Sequence, residues 1–470
     1  MSLVYNYLGM HNNPTTALRL VVKADANVVL SALVNGVVYT GDTINTTVRN
    51  GIGKVDITGL SPNTTYDIII RLAGVDVKTV YGKTLPTDSV KIAFASCLSN
   101  AAFQSWASYI QRHVIPDVVY LAGDLYYENN PSTNRNQQPV VDCTSNCLDI
   151  DNRYTFIQNF FTLPEVQSLF DSGVQFLYMY DDHEIFNSWE WDTSHFGTMS
   201  GIEDSPTLTA PLTVDELLSV WRAHKPYLDA IHYGNPDSPS VTGDIPTGAS
   251  GATGVIAGDF TPLYYSVGVD TLWSLYALDV QSHRSNLYDA DSGTQDPIVK
   301  TCLGANQRGW LFTQGAADNA NHKLIMTGKY VWELANEGTI GTGEWDRWNI
   351  YPSERQAIID DVNSNWSKNV TLIAGDVHQP IVAKQNDLYC FCICPAGIEN
   401  IKRDAPYGTY TSHIYGDTFG ANYKFIGVID IDSTGMRISL HDLMRRRAYK
   451  PYTFDSTGFA PIARQAVQYT

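Results

Sequence analysis

The sequence predicts an α/β body, residues 87–470, behind a small all-β sandwich, residues 1–86. Three observations carry this reading. Residues 17–85 alternate apolar and polar in short segments separated by turn signals, which is the pattern of half-buried antiparallel strands. Beyond Thr84-Leu85-Pro86-Thr87, which reads as a linker, the pattern changes to strands separated by helices. Within that second part, four short strings each run out of an apolar segment: Ala95-Ser96-Cys97, Gly123-Asp124, Asp181-Asp182-His183-Glu184 and Gly375-Asp376-Val377-His378.

The sandwich strands are clearest at Leu18-Arg19-Leu20-Val21-Val22 and Tyr66-Asp67-Ile68-Ile69-Ile70-Arg71. Asn35-Gly36, Asn50-Gly51 and Ser61-Pro62-Asn63 supply residues that tolerate positive φ, so they mark turns. Gly59 to Tyr66 resembles the turn and tyrosine corner of fibronectin type III modules. The sandwich holds no convincing catalytic group, so it reads as a packing or targeting module.

In the second part, Val90 to Phe94, Asp117 to Ala122, Val174 to Tyr180 and Val370 to Ala374 are short and apolar, as buried strands are. Each of the four strings then lies at a strand's C-terminal end, where an open α/β sheet forms its ligand crevice. Val214 to His224, with Thr213 as N-cap, has the spacing of a helix. Residues 234–259 are rich in Gly, Pro, Ser and Thr. Their Gly248-Ala249-Ser250-Gly251-Ala252-Thr253-Gly254 string lacks the Lys-Ser/Thr ending that grips a nucleotide, so it reads as a loop. From Met444-Arg445-Arg446-Arg447 to Thr470 there is little helical period, as in a tail laid across a core.

Oxygen-rich donors at converging strand ends point to hard cations, and cations a few Å apart suit hydrolysis of a phosphate ester. Asp124, Asp182 and Asp376 supply carboxylates and His378 a ring nitrogen. His183 follows Asp182 and can stabilise charge developing on a substrate; Glu184 reads as a group that orients a neighbour. A single Gly-Asp pair is weak evidence, because the same pair stands at Gly41-Asp42, Gly243-Asp244, Gly258-Asp259 and Gly416-Asp417, and such an aspartate usually caps a turn. Four strings in this order are a much stronger signal.

The order and wording of these strings resemble the alkaline phosphatase D family of calcineurin-like metallophosphoesterases, over roughly residues 87 to 445. The resemblance rests on Phe94-Ala95-Ser96-Cys97, Gly123-Asp124-Leu125-Tyr126-Tyr127-Glu128, Asp181-Asp182-His183-Glu184, Leu278-Asp279 with Arg284, Leu303-Gly304 with Gln307 and Trp310-Leu311, and Gly375-Asp376-Val377-His378. It implies a four-layer α/β/β/α core, a cluster of one Fe(III) and Ca, and hydrolysis of phosphate mono- or diesters. By position, Asp124 is implied to bridge the metals, Cys97 and Tyr127 to bind iron, and Asp376 and His378 to complete the cluster. Asp182 stands where most metallophosphoesterases place an asparagine ligand, and Asn187 is a further candidate ligand or phosphate contact.

The family commonly has an arginine soon after the Leu-Asp string; this chain runs Val280-Gln281-Ser282-His283 before Arg284, the candidate substrate-binding residue. A planar guanidinium matches phosphate oxygens, and it equally suits a surface ion pair. Cys97 reads either as a thiolate ligand or as a small core residue, and Tyr127 either as a phenolate ligand or as an aromatic at a loop base. Two other functions compete with the hydrolase: an inactive binding protein on the same scaffold, and a purple-acid-type phosphatase. The Gly-Asn-His-Glu and Gly-His-x-His strings of the latter are absent from this chain.

With 31 basic and 49 acidic side chains the net charge is -18, so the far field repels polyanions and argues against general nucleic-acid binding. An anionic ester must then be drawn in locally, by metal charge. No run approaches the roughly 20 apolar residues of a membrane span, and the first residues lack the basic start and apolar core of a signal peptide. The family resemblance and a charged fraction of 17% favour a secreted or periplasmic protein. Asn45, Asn63, Asn365 and Asn369 head Asn-x-Ser/Thr sites that matter only in a glycosylating host. Of seven cysteines, Cys143 and Cys147 are read as a local disulfide or two free thiols. Cys390, Cys392 and Cys394 alternate along a strand-like run and are expected on one buried apolar face.

Overall fold

A computed structural model of the chain describes residues 1–47, 49–98, 102–125, 150–184, 226–237, 263–282, 301–331, 348, 351–367, 369–376, 378, 380–385, 388–393, 411–414, 424–443, 447–449, 452–455, 458–460 and 466–468. The helix expected at Val214 to His224, the Gly-rich loop at Gly248 to Gly254, Cys143, Cys147 and Cys394 lie outside the described residues.

Two sheets packed face to face form the body, with helices outside each. In the first, the strands Ser89–Ala95, Val118–Ala122 and Gln175–Met179 are parallel neighbours, paired Ala95 to Leu121 and Met179 to Ala122. In the second, Trp273–Leu278, His322–Thr327, Asn369–Ala374 and Leu388–Cys392 are also parallel, with Leu278, Thr327 and Ala374 level with one another. Parallel strands need long crossovers, and the helices supply them.

Alternation along the strands sets the layering. Leu324 and Met326 join the cluster shared with the first sheet and with Trp106, Phe160 and Phe170 of its helices. Ile325, between them, packs instead with Leu311 of helix Gly304–Ala317 and with Ile358 and Val362 of helix Pro352–Asn365. Ile373 and Leu372 divide in the same way, as do Phe391 and Cys390. Strands apolar on both faces are what buried parallel sheets require, and each large side chain so buried contributes on the order of 1.5–3 kcal/mol. The result is helix, sheet, sheet, helix. Cys390 and Cys392 lie on the helix-facing side of their strand, and burial pushes the Cys390 thiol up to about 12.

The N-terminal strands form a sandwich with its own apolar cluster, including Leu20, Val22, Leu30, Ile68 and Ile70. One of its sheets, Leu3–Gly9, Ala17–Ala24 and Ile52–Thr58, is not separate from the body: Leu3–Gly9 pairs in parallel with Gln175–Met179. The Thr84-Leu85-Pro86 segment, a linker by composition, is buried here, with the Thr84 and Leu85 amides donating to the Thr64 and Pro14 carbonyls. It is a seam rather than a tether, because the N-terminal strand Leu3–Gly9 is itself part of the body's first sheet. The Tyr66 hydroxyl accepts the Ser61 amide at 2.7 Å, five residues upstream, which ties down the turn between them.

Candidate metal centre

Six strand ends, three from each sheet, converge on one crevice. Glycine makes that approach sterically possible. A Cβ on Gly123 would lie 2.3 Å from the Asp181 amide nitrogen, and one on Gly375 would lie 2.2 Å from Ser96 Oγ. The Gly375 amide donates to the Gly328 carbonyl at 3.0 Å, joining two of the ends.

The backbone at these ends is held in a conformation that side chains other than glycine seldom adopt. Cys97 (φ 56), Asp124 (φ 56), Asp376 (φ 72) and His378 (φ 53) are all left-handed. Each such residue costs on the order of 1–3 kcal/mol, and surrounding bonds must impose it. Here the Cys97 amide donates to the Gly123 carbonyl at 3.3 Å and the Leu98 amide to the Asp124 carbonyl at 3.0 Å. Glu184 does more: its carboxylate accepts the amides of Asp124 (3.0 Å), Leu125 (2.7 Å) and Asp181 (2.8 Å), tying two loops together. That is an orienting role.

The donors form three overlapping groups, each with its ligand atoms within 4.8 Å of one another: Cys97, Asp124 and His378; Asp124, Asp182 and His183; and Asp124, Asp181, Asp182 and Asp376. Asp124 belongs to all three. The Cys97 thiol lies 3.3 Å from Asp124 Oδ2 and 3.1 Å from Ser96 Oγ, and the His183 amide donates to Asp124 Oδ1 at 3.4 Å. Burial, and then the neighbouring Cys97, Asp181, Asp182 and Glu184, hold Asp124 well above the ordinary carboxylate range. So many acceptors in a buried space call for positive charge. Carboxylates, two imidazoles and one thiol suit a mixed cluster, in which oxygen donors take a hard cation and the sulfur a more highly charged or softer one.

Of the residues read from the sequence, Cys97, Asp124, Asp182, His183, Asp376 and His378 are brought together. Tyr127, Arg284 and Asn187 lie outside the described residues. Two residues were missed. Asp181 joins the largest donor group, and its carboxylate also accepts from Gln281 Nε2. Lys329, fully buried, places Nζ 2.9 Å from Asp182 Oδ1, 3.1 Å from Asp376 Oδ1 and 3.3 Å from Asp181 Oδ1. The signal was present: Lys329 follows Gly328 just past an apolar strand, as Asp124 follows Gly123 and Asp376 follows Gly375.

Asp279 and Gln307, noted as part of a motif, have structural work. Gln307 clamps the Asp279 backbone from both sides, Oε1 accepting its amide at 2.8 Å and Nε2 donating to its carbonyl at 2.7 Å. Asp279 Oδ1 in turn accepts from Tyr180 Oη and from the amides of Gln281 and Ser282. This fixes the turn that carries Gln281 to Asp181.

The family model of PhoD-like phosphatases matches residues 92–392. The chain belongs to this family. Alkaline phosphatase D of Bacillus subtilis (strain 168) is 22% identical over 344 residues, which are 69% of this chain and 52% of that protein, so the chain spans about half the length of the curated relative it matches. Among solved structures, PhoD superposes with a TM-score of 0.69 at 16% identity, covering 99% of this chain and 92% of the other. A purple acid phosphatase from yellow lupin (Lupinus luteus) seeds gives 0.60 at 12% identity, covering 97% and 74%. These likenesses place the body in the metallophosphoesterase fold. The matched segment contains all three donor groups, from Cys97 to His378.

Proposed function

We propose that the protein is a metal-dependent hydrolase of phosphate mono- or diesters. The observation that carries this is the membership of Asp124 in three donor groups at once, which is what a carboxylate bridging neighbouring cations requires. Bound cations supply polarisation of the phosphoryl oxygens and activation of water near neutral pH. The chain's own part is positioning. Glu184 and the glycine contacts fix the loops, and the His183 amide directs Asp124 Oδ1. His183 stabilises charge that develops on the substrate. Arg284 is proposed as a phosphate-binding group, on the strength of its place after the Leu-Asp string. Metal-replete protein is expected to hydrolyse a chromogenic phosphodiester. No hydrolysis of mono- or diesters under any metal loading would leave the inactive scaffold as the better reading, and an acidic pH optimum would favour the purple-acid type.

The finer assignment is one Fe(III) held by Cys97, Tyr127, Asp124 and His378, with Ca on the Asp182 and Asp376 side. Its support is the family resemblance and the chemistry of a thiolate and a phenolate, both easily oxidised donors that stay deprotonated on a highly charged cation. Concentrated protein is then expected to be coloured, and Cys97→Ser and Tyr127→Phe each to shift or weaken the band. Colourless, fully active protein without iron by elemental analysis would leave an all-divalent cluster. The reading extends to export, supported by the resemblance; among the described residues no helix is long and apolar enough to cross a membrane. Fractionation of producing cells checks it. The division into a fibronectin-like domain, residues 1–86, and a catalytic domain, residues 87–470, is likewise proposed, supported by the separate apolar cluster of the sandwich and the Tyr66 corner.

A further inference from the structure

Lys329 stands inside the largest donor group rather than beside it. Its ammonium contacts one oxygen each of Asp181, Asp182 and Asp376 at 2.9–3.3 Å, and those three residues with Asp124 make up that group. The lysine is fully buried, as are Asp181 and Asp182. An ammonium in a dry site persists only where acceptors surround it, and these carboxylates meet that need. Yet calcium also bonds carboxylate oxygens, at about 2.3–2.6 Å, so an ion bridging the same oxygens would lie where the ammonium now is. The Cys97, Asp124 and His378 group is built without those three carboxylates.

We propose that Lys329 is a cation supplied by the chain at this centre and competes with a divalent ion for Asp181, Asp182 and Asp376. The centre is therefore asymmetric: one ion is retained by Cys97, Asp124 and His378, and the other is exchangeable because it must displace an ammonium. Before that ion arrives, Lys329 keeps the three carboxylates from repelling one another. It is a positioning residue that tunes how tightly the second cation is held, and the inference rests on the metal centre proposed above.

The test is calcium titration by calorimetry of full-length protein, with metal content measured after desalting. Lys329→Met removes the competing charge and retains most of the stem, so calcium is expected to bind about tenfold tighter or more, or one further ion to be retained, because ligand charge sets affinity at such sites. A lysine that merely supported the fold would give the opposite sign. Equal or weaker binding overturns the inference. Should the Met variant not fold, Lys329→Gln and a calcium-soaked crystal of the wild type decide: Nζ displaced from the carboxylates supports competition, and Nζ still at 2.9–3.3 Å beside bound calcium overturns it. If wild type and variant both bind no metal and hydrolyse no ester, the metal centre itself is refuted. Hydrolysis with unchanged calcium affinity refutes only the role of Lys329.

Discussion

The sandwich and the crevice use the same rare backbone conformation for different ends. In the sandwich, Asn35 (φ 50), Asn50 (φ 47) and Asn63 (φ 48) are left-handed in turns, and Gly36 and Gly51 follow the first two at φ 80 and 77. Asparagine and glycine adopt this conformation at little cost, so these turns only reverse the chain. In the crevice, Cys97, Asp124, Asp376 and His378 adopt it although chosen for their donor atoms. The cost there is met by Glu184, by inter-loop amide bonds and by the glycines that let the loops meet. In the crevice the left-handed residues carry donor side chains; in the sandwich the left-handed asparagines sit in turns.

The sharpest way to break this contrast is Asp124→Asn, since asparagine tolerates the left-handed backbone but removes the bridging charge. Activity is expected to fall by about 10³-fold with loss of metal, while the thermal midpoint of metal-free protein holds or rises. Near wild-type rate and metal content would sink the bridging role. His183→Ala is expected to keep the metals and lower turnover by roughly 10²–10³-fold, the usual cost of one group that stabilises transition-state charge. Loss of metal in that variant would make His183 a ligand.

Two glycines with like φ then separate conformation from crowding. Gly36→Ala (φ 80) meets nothing within 4 Å, so its cost is the backbone alone, about 1 kcal/mol, with activity unchanged. Gly123→Ala (φ 70) meets the Asp181 amide nitrogen at 2.3 Å, and about 3 kcal/mol or more, with weakened metal binding, is expected by denaturant unfolding and metal analysis. Equal costs would erase the distinction between turn and site.

A last and smaller contrast concerns acid. His441, buried in the first sheet beside Tyr109 Oη (3.1 Å) and Ser439 Oγ (3.0 Å), is pushed down to about 4, chiefly by burial and then by Lys91 and His113. A histidine held neutral when folded protonates first in the unfolded chain, so its support is complete above about 6.5 and is lost as pH falls toward about 4. His441→Gln is expected to flatten that part of the pH–stability curve by up to about 3 kcal/mol. An unaltered curve would mean that His441 titrates normally.

Much of this was legible in the chain because the physics is local. Period-2 alternation marks the sandwich strands, Asn-Gly marks their turns, and apolar runs ending in Gly-Asp or Asp-Asp-His-Glu mark strand ends that carry donors. The helix Gly304–Ala317 was harder to read; its Gly-rich sequence has little propensity and is stabilised by packing on the second sheet.

The sequence by itself determined the secondary-structure grammar, the chemistry of Cys97, Asp124, Asp182, Asp376 and His378, and the acidic far field. Only the tertiary structure decided which donors lie within reach of one another. It made Thr84-Leu85-Pro86 a buried seam, through the pairing of Leu3–Gly9 with Gln175–Met179, and it brought Lys329 among three carboxylates from strand ends up to 195 positions apart (376 minus 181). The reason is physical: strand order, register and the charge balance of a buried site arise from contacts between distant segments, and no local pattern encodes them.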